Sequence, residues 1–150
     1  MGRTSTCLWY DDQGLEAAKL YTSLIPNSKI TTVNEMNGKV LTVLFSLDGS
    51  DYMALNGGKH FQLSPAASIM VYCDGQDEVD RLWDALGEGG AFSQCGWLTD
   101  KFGLSWQIIP RQFMEMMKST DKAAIDRAFQ AMMSMTKLHL PTLQKAFDGG

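Results

Sequence analysis

Apolar and polar residues alternate along several short segments of the chain, and in other segments the apolar residues recur every three or four positions. Two segments combine these patterns in the same order, "TCLWYDDQGLEAAKLYTSL" from Thr6 and "SIMVYCDGQDEVDRLWDAL" from Ser68. In each, an apolar run predicts a strand, an Asp-containing turn follows, and the three- and four-residue spacing predicts a helix. Aromatic and leucine positions match at a constant offset of 62, as Tyr10 with Tyr72, Tyr21 with Trp83 and Leu24 with Leu86. The chain therefore contains an internal repeat.

Three more strands are predicted after each helix. The first half continues with "KITTVNEM", "KVLTVLFSLDG" and "SDYMALN", and Asn37-Gly38 is typical of a hairpin turn. The second half continues with a weak strand near residues 91–94, then "GWLTD" and "GLSWQIIP". The pattern predicts an α+β fold in one domain, with two βαβββ units at about residues 3–58 and 66–110. A helical tail is predicted at about residues 111–148.

Composition and charge narrow the function classes. The chain has 150 residues, of which 45% are hydrophobic and 20% charged. Its net charge is −4, and acidic and basic residues are mixed along the chain. We therefore expect no nucleic-acid partner. No apolar run approaches the roughly 18 residues of a membrane span, and the N-terminus lacks the apolar region of a signal peptide. Three cysteines without paired spacing predict reduced thiols and a cytoplasmic protein.

Five ordered motifs carry a resemblance to a known family. They are "LWYDDQGLEAAKLYTSLIPNS", "ALNGG", "DEVDRLWDAL", "QCGWLTDKFGLSWQIIP" and "AAIDRAFQAMMSMTKLHLPTLQKA". Together they resemble the PhnB-like subgroup of the vicinal oxygen chelate superfamily, which includes glyoxalase I, extradiol dioxygenases and bleomycin-resistance proteins. That subgroup is often labelled 3-demethylubiquinone-9 3-methyltransferase. The resemblance implies a glyoxalase-like cup built from the two units, and a homodimer. The methionine-rich stripes of the tail are expected to pack in the core or against the second subunit.

The resemblance also implies where a metal would bind. Metal-dependent members place His, Gln or Glu ligands on the first and last strands of each unit. The matching positions here are Thr6, Ala54, Ser68 and Gln107. Alanine cannot coordinate a metal, and neutral hydroxyls are poor ligands for divalent first-row metals. We therefore expect no metal or other cofactor, and we interpret Gln107 as a hydrogen-bonding pocket residue rather than a metal ligand.

Strand alternation predicts which residues line the cup. The predicted ligand-pocket residues are Tyr10, Tyr52, Asn56, Ser68, Met70, Tyr72, Trp97, Ser105 and Gln107. The opposite faces, which carry Cys7, Trp9, Met53, Leu55, Trp106 and Ile108 among others, are expected to pack under the helices. Two positions have alternatives: Asn56 either caps a turn or contacts a ligand, and Trp97 is either a rim aromatic or a core anchor. Cys95, in a loop without a paired histidine, is interpreted as structural.

Three functions are compatible with this pattern. The leading hypothesis is a metal-free cup that binds a small apolar or aromatic molecule by stacking and hydrogen bonds. The alternatives are a metal-dependent lyase, isomerase or dioxygenase, and a structural module whose cup is filled by its own side chains. Methyl transfer is unsupported, because S-adenosylmethionine enzymes of the common kind need a glycine-rich turn from a strand into a helix. Here "GEGGAF" follows a helix and precedes a strand.

Overall fold

A computed structural model describes residues 2–150 and divides them into two compact units, one ending at Leu63 and one beginning at Ser64. The first unit contains β1 (Thr6–Tyr10), α1 (Gly14–Leu24), β2 (Lys29–Met36), β3 (Lys39–Leu47) and β4 (Ser50–Asn56). The second contains β5 (Ser68–Cys73), α2 (Gln76–Gly87), β6 (Ala91–Phe92), β7 (Trp97–Thr99) and β8 (Ser105–Pro110). It continues with α3 (Arg111–Met116), α4 (Lys122–Met133) and α5 (Leu140–Asp148). The predicted α+β class, the two βαβββ units and the helical tail are confirmed.

Each unit forms one four-stranded mixed sheet. The strand orders are β1-β4-β3-β2 and β5-β8-β7-β6. The first strand of each unit pairs in parallel with the last, and the other neighbours are antiparallel. Parallel neighbours need a long crossover, whereas antiparallel ones are joined by tight turns. At the β2–β3 turn, Asn37 and Gly38 both have positive φ angles, 55° and 77°, as such hairpins require.

Helix α1 packs closely on one face of the first sheet. The hydroxyls of Tyr10 on β1 and Tyr21 on α1 are 3.1 Å apart, and both side chains are buried. At the start of α1, the Gly14 nitrogen donates to Asn56 Oδ1 over 2.8 Å. A Cβ at position 14 would lie 2.7 Å from that oxygen, so this approach requires glycine. Leu8, Ala54, Val43 and Phe45 complete the buried face.

In the second unit, an apolar face of the sheet is buried on α2. The helix buries Val79, Leu82 and Leu86, and the large apolar strand residues buried with them are Leu98, Trp106 and Ile108. Val71 is paired with Ile108, and Leu98 with Trp106, so these side chains share one face. The alternation of the strands therefore places the large apolar residues of β7 and β8 in the core.

A buried carboxylate organises the turn between β7 and β8. Asp100 is only 3% exposed, and its Oδ1 accepts hydrogen bonds from the backbone nitrogens of Phe102 and Leu104 over 2.9 and 3.0 Å. Its Oδ2 accepts from Trp106 Nε1 over 2.9 Å. One charged side chain thus holds the turn and orients the largest side chain of this core.

The helical tail belongs to the core of the second unit. Ile109 of β8 is buried among residues of the three tail helices and their connections: Phe113, Met116, Ala128, Leu138 and Leu143. Gln76, at the start of α2, donates from Nε2 to the Leu138 carbonyl over 3.0 Å and accepts from the Leu140 nitrogen over 2.6 Å. The nitrogens of Cys95 and Gly96 donate to the carbonyls of Met135 and Thr136, each over 2.8 Å.

The longest helices between residues 2 and 150 are α2 and α4, with 12 residues each. None of the helices in this range has the length and hydropathy that crossing a bilayer requires.

We expect the substitution Asp100→Ala to lower the free energy of unfolding by about 2–4 kcal/mol, because three buried donors lose their acceptor. Urea denaturation monitored by fluorescence would measure the change. The matched control is Asp84→Ala on the exposed side of α2, for which we expect a change below about 0.5 kcal/mol. Equal effects of the two substitutions would contradict this role of Asp100.

Candidate functional site

The first sheet turns a different face to α1 from the one predicted. Tyr10 is in register with Asn56, Leu8 with Ala54, and Phe45 with Tyr52, so these residues share the helix-covered face. The prediction that Tyr10, Tyr52 and Asn56 lie on the open face is therefore wrong. The open face instead carries the residues expected under the helix: Cys7, Trp9, Met53 and Leu55.

The length of one loop explains this difference. Three residues separate Tyr10 from α1, whereas two separate Cys73 from α2. The helices keep the offset of 62 found in the sequence, but the buried strand residue equivalent to Tyr10 is Cys73, 63 positions later. Because side chains alternate with a period of two, a shift of one residue exchanges the two faces of a strand.

The three misassigned residues have structural contacts within the first unit. Tyr10 bonds to Tyr21, as described above. Asn56 accepts from Gly14 and donates from Nδ2 to the Val40 carbonyl over 3.1 Å, so its amide joins α1 to β3. The Tyr52 ring stacks on Phe45 with centroids 5.3 Å apart, and partial burial raises the pKa of Tyr52 above its usual value.

In the second sheet, the remaining predicted residues lie on the face opposite α2. One row across the strands consists of Met70, Gln107 and Trp97, and the next consists of Ser68, Ser105 and Thr99. A third row pairs Tyr72 with Ile109, although the tail covers Ile109. We call this surface the open face of the second sheet. Its most exposed members are Met70 and Tyr72, each at 41%.

Gln107 occupies the centre of the open face. Its Nε2 donates to Ser68 Oγ over 3.0 Å. This is the one hydrogen bond that the Gln107 side chain makes with residues 2–150, although its amide has two N–H protons and an acceptor oxygen. Gln107 is half-buried, so a molecule on the open face can reach the remaining polar atoms of its side chain.

A cavity of about 420 Å³ opens beside Trp97 and Ser105 of the open face. Its wall consists mainly of residues from β7 and the segment before it: Pro65, Ser93, Gln94, Cys95, Trp97, Leu98, Thr99 and Ser105. Trp97 is half-buried and lines this cavity, as the rim alternative describes. Ser105 is 1% exposed, and its Oγ has no hydrogen-bond partner among the described residues. The sequence gives no signal for this unpaired hydroxyl.

The three thiols differ in their surroundings. Burial, and secondarily the negative charge of Glu78, raise the pKa of Cys73 to about 12, so this thiol stays protonated at neutral pH. Cys7 is exposed on β1, and Cys95 is half-buried at the cavity. Cys95 has a positive φ of 60°, and its backbone nitrogen is bonded to the tail.

The residues at the strand positions where the sequence resemblance implies metal ligands do not fit a divalent metal. With the corrected register, the open-face pairs are Cys7 with Met53 and Met70 with Gln107. Of these four, only the Cys7 thiol is a usual ligand of a divalent ion such as Zn²⁺. Thioethers suit Cu(I), and the imidazole and carboxylate groups that complete most divalent sites are not among them. Between residues 2 and 150, the structure contains no group of three or more His, Cys, Asp or Glu side chains that could hold a metal ion.

Comparison with protein families matches residues 2–109 to the family described as 3-demethylubiquinone-9 3-methyltransferase. The chain belongs to this family. A search of curated proteins gave no match. Among solved structures of similar fold, a PhnB protein of Bacillus cereus described as a 3-demethylubiquinone-9 3-methyltransferase is 27% identical, with a TM-score of 0.69. The match covers 73% of this chain and 99% of that one.

Two further solved structures are similar to the present chain at lower sequence identity. A protein of Pseudomonas aeruginosa is 19% identical over 71% of this chain and 95% of its own, with a TM-score of 0.58. A lactoylglutathione lyase of Agrobacterium tumefaciens is 18% identical over 70% and 90%, with a TM-score of 0.39. The Pseudomonas structure supports the shared fold, and the fold alone does not specify an activity.

The turns that lead into α1 and α2 do not fit the methyl donor that the family's description implies. The turns from strand into helix are Asp11-Asp12-Gln13 before α1 and Asp74-Gly75 before α2. Neither is the glycine-rich turn that lets a backbone approach a nucleotide-like cofactor. Gly89 and Gly90 lie after α2, on the wrong side of the helix for this purpose.

The corrected orientation of the first sheet predicts different effects for two tyrosines. We expect Tyr10→Phe to lower the free energy of unfolding by about 1 kcal/mol, because the buried Tyr21 hydroxyl loses a partner. Tyr72→Phe, on a side chain that is 41% exposed, should change it by less than about 0.5 kcal/mol. Urea denaturation of both variants measures the difference. A larger loss for Tyr72→Phe would contradict the orientation.

Proposed function

We propose that the open face of the second sheet binds a small, neutral, apolar or aromatic molecule without the help of a metal. The observation that carries this proposal is the exposure of Met70 and Tyr72, 41% each, on a sheet face that continues into a cavity of about 420 Å³. Monomeric proteins usually bury such side chains, and exposed apolar patches often mark binding sites. The volume lies within the range of small-molecule pockets.

The chemistry of the lining supports a neutral ligand. The residues of the three rows are methionine, tyrosine, tryptophan, isoleucine, serine, threonine and glutamine, and none is charged. Phosphate or carboxylate ligands are usually bound by Arg or Lys side chains, or by backbone nitrogens at helix N-termini. Trp97 and Tyr72 offer aromatic surfaces for stacking, while Gln107 and the hydroxyls offer a few hydrogen bonds that set orientation.

A metal-dependent lyase, isomerase or dioxygenase is the less supported alternative. It would need imidazole or carboxylate donors on the first and last strands, and the residues there are Cys7, Met53, Met70 and Gln107. Binding in the proposed function therefore depends on packing and hydrogen bonds alone.

The proposal predicts that two open-face substitutions weaken binding. Neutral aromatic compounds, such as substituted indoles, phenols and naphthalenes, would be screened by thermal shift, and dissociation constants of hits measured by calorimetry. Met70→Ala and Gln107→Ala should each weaken a hit about 5- to 10-fold, because each removes about 1 kcal/mol of contact. Addition of a chelator should leave the dissociation constant unchanged.

The matched control for Met70 is Met36→Ala. Met36 is 55% exposed on the edge strand β2 of the other unit, and its loss should not change ligand affinity. The proposal fails if no compound binds at millimolar concentration, or if Met36→Ala weakens binding as much as Met70→Ala. Loss of binding on addition of a chelator would support the metal-dependent alternative.

We also propose that the chain forms a homodimer through α4. Phe129 and Met133 lie one helical turn apart on α4 and are 40% and 62% exposed, which supports an apolar contact with a second copy. The buried residues of α4 are Ala124 and Ala128. Phe129 and Met133 lie outside this buried face of the helix.

Size-exclusion chromatography with light scattering should therefore give twice the chain mass of 16.6 kDa at micromolar concentration. Met133→Lys should shift the protein to the mass of one chain, because a lysine would be buried in the contact. Met36→Lys, an equivalent change on β2, should remain dimeric. A single-chain mass for the unmodified protein would refute the dimer.

A further inference from the structure

Ser105 is a buried side chain without a hydrogen-bond partner. It is 1% exposed, and among residues 2–150 its Oγ is the one buried side-chain nitrogen or oxygen that lacks a partner. Most buried polar groups in folded proteins are hydrogen-bonded, because an unpaired one loses its bonds to water without replacement. An unpaired hydroxyl inside an otherwise well-bonded unit therefore needs an explanation, and a missing ligand atom provides one.

The position of Ser105 connects it to the proposed binding face. On β8 it is flanked by Ser68 on β5 and Thr99 on β7, and it lines the cavity together with Trp97. The neighbouring hydroxyl of Ser68 already accepts a hydrogen bond from Gln107, whereas Ser105 has no such bond. Ser105 therefore lies in the wall of the cavity that a bound molecule would occupy, and its buried hydroxyl is unpaired.

We infer that the molecule bound at this face is a flat, neutral carbonyl compound of the aryl ketone class, whose oxygen accepts a hydrogen bond from Ser105 Oγ. This inference rests on the proposed function and names its ligand class. The walls contributed by Pro65, Trp97 and Leu98 suit an apolar ring, and the single buried hydroxyl suits one acceptor oxygen. A charged or strongly polar molecule would leave its other polar groups unpaired in such a cavity.

Ser105→Ala is a direct test because the hydroxyl has no partner to lose. The variant should fold with an unchanged or higher melting temperature, since the substitution removes an unpaired buried polar group and keeps the Cβ. The matched control is Ser5→Ala, which makes the same chemical change at an exposed residue that does not line the cavity.

The probes are acetophenone and α-methylstyrene, which share a ring and a shape but differ in a carbonyl oxygen against a methylene group. Dissociation constants would be measured by titration monitored by NMR. In the unmodified protein and in Ser5→Ala, acetophenone should bind about tenfold tighter than α-methylstyrene, which corresponds to one hydrogen bond to an otherwise unpaired group. In Ser105→Ala the difference should fall to about twofold or less.

The three cysteines provide a second readout that reports the place of binding. Acetophenone should slow the alkylation of Cys95 by iodoacetamide at pH 8, because Cys95 lines the cavity. Alkylation of the exposed Cys7 in the first unit should not change, and the buried Cys73 should stay unmodified. In Ser105→Ala, protection of Cys95 should need about tenfold more acetophenone. Mass spectrometry of peptides distinguishes the three sites.

The outcomes separate this inference from the proposed function. If both probes bind equally and Ser105→Ala changes neither, the hydroxyl holds only water, and the carbonyl class is overturned while the binding face stands. If other neutral aromatics bind but acetophenone does not, the inference is overturned in the same way. If neither probe nor any screened aromatic binds or protects Cys95, the proposed function fails as well.

Discussion

In each unit one helix, α1 or α2, packs on the sheet, and that helix can cover only one of the two faces of the sheet. Because strand side chains alternate with a period of two, the face left open depends on where the chain leaves the first strand and enters the helix. Three residues connect β1 to α1 in the first unit, and two connect β5 to α2 in the second. That single residue decides that Tyr10 and Asn56 face α1, while Met70 and Tyr72 stay exposed on the side opposite α2.

The same constraint shapes the chemistry of the two open faces. In the first unit the open face carries Cys7 and Met53, and in the second it carries Met70 and Gln107. Neither pair supplies the imidazole or carboxylate groups that most sites for divalent first-row metals use. A neutral face with exposed aromatic and thioether groups is suited to contacts with an apolar molecule, and its few polar atoms can set the orientation of that molecule.

Polar contacts hold the cavity in place within the second unit. The Asp100 carboxylate orients Trp106 and closes the turn from β7 to β8, the two strands that contribute Trp97 and Ser105 to the wall. Backbone bonds from Cys95 and Gly96 tie the segment before β7 to the tail, and a Cβ at Gly96 would lie 3.0 Å from the Ile108 carbonyl. The tail is therefore part of the support of the cavity wall, so changes in α4 or α5 can reach the site through the backbone.

The sequence by itself determined the order of the elements, the repeat, the Asn37-Gly38 hairpin, the tail helices and the neutral character of β5, β7 and β8. Each of these depends on local periodicity, turn chemistry or residue type. It also predicted the face of Ser68, Met70, Tyr72, Ser105 and Gln107, since the large apolar residues Trp106 and Ile108 alternate with them. In the first unit both faces are apolar or aromatic, with Leu8 and Tyr10 on one and Cys7 and Trp9 on the other, so alternation could not select between them. Only the tertiary structure decided which of these faces α1 covers. It also decided that the Asn56 amide accepts a hydrogen bond from Gly14 and that the Ser105 hydroxyl has no partner. These depend on loop length and on contacts between residues far apart in the chain, which a pattern of neighbouring residues does not contain.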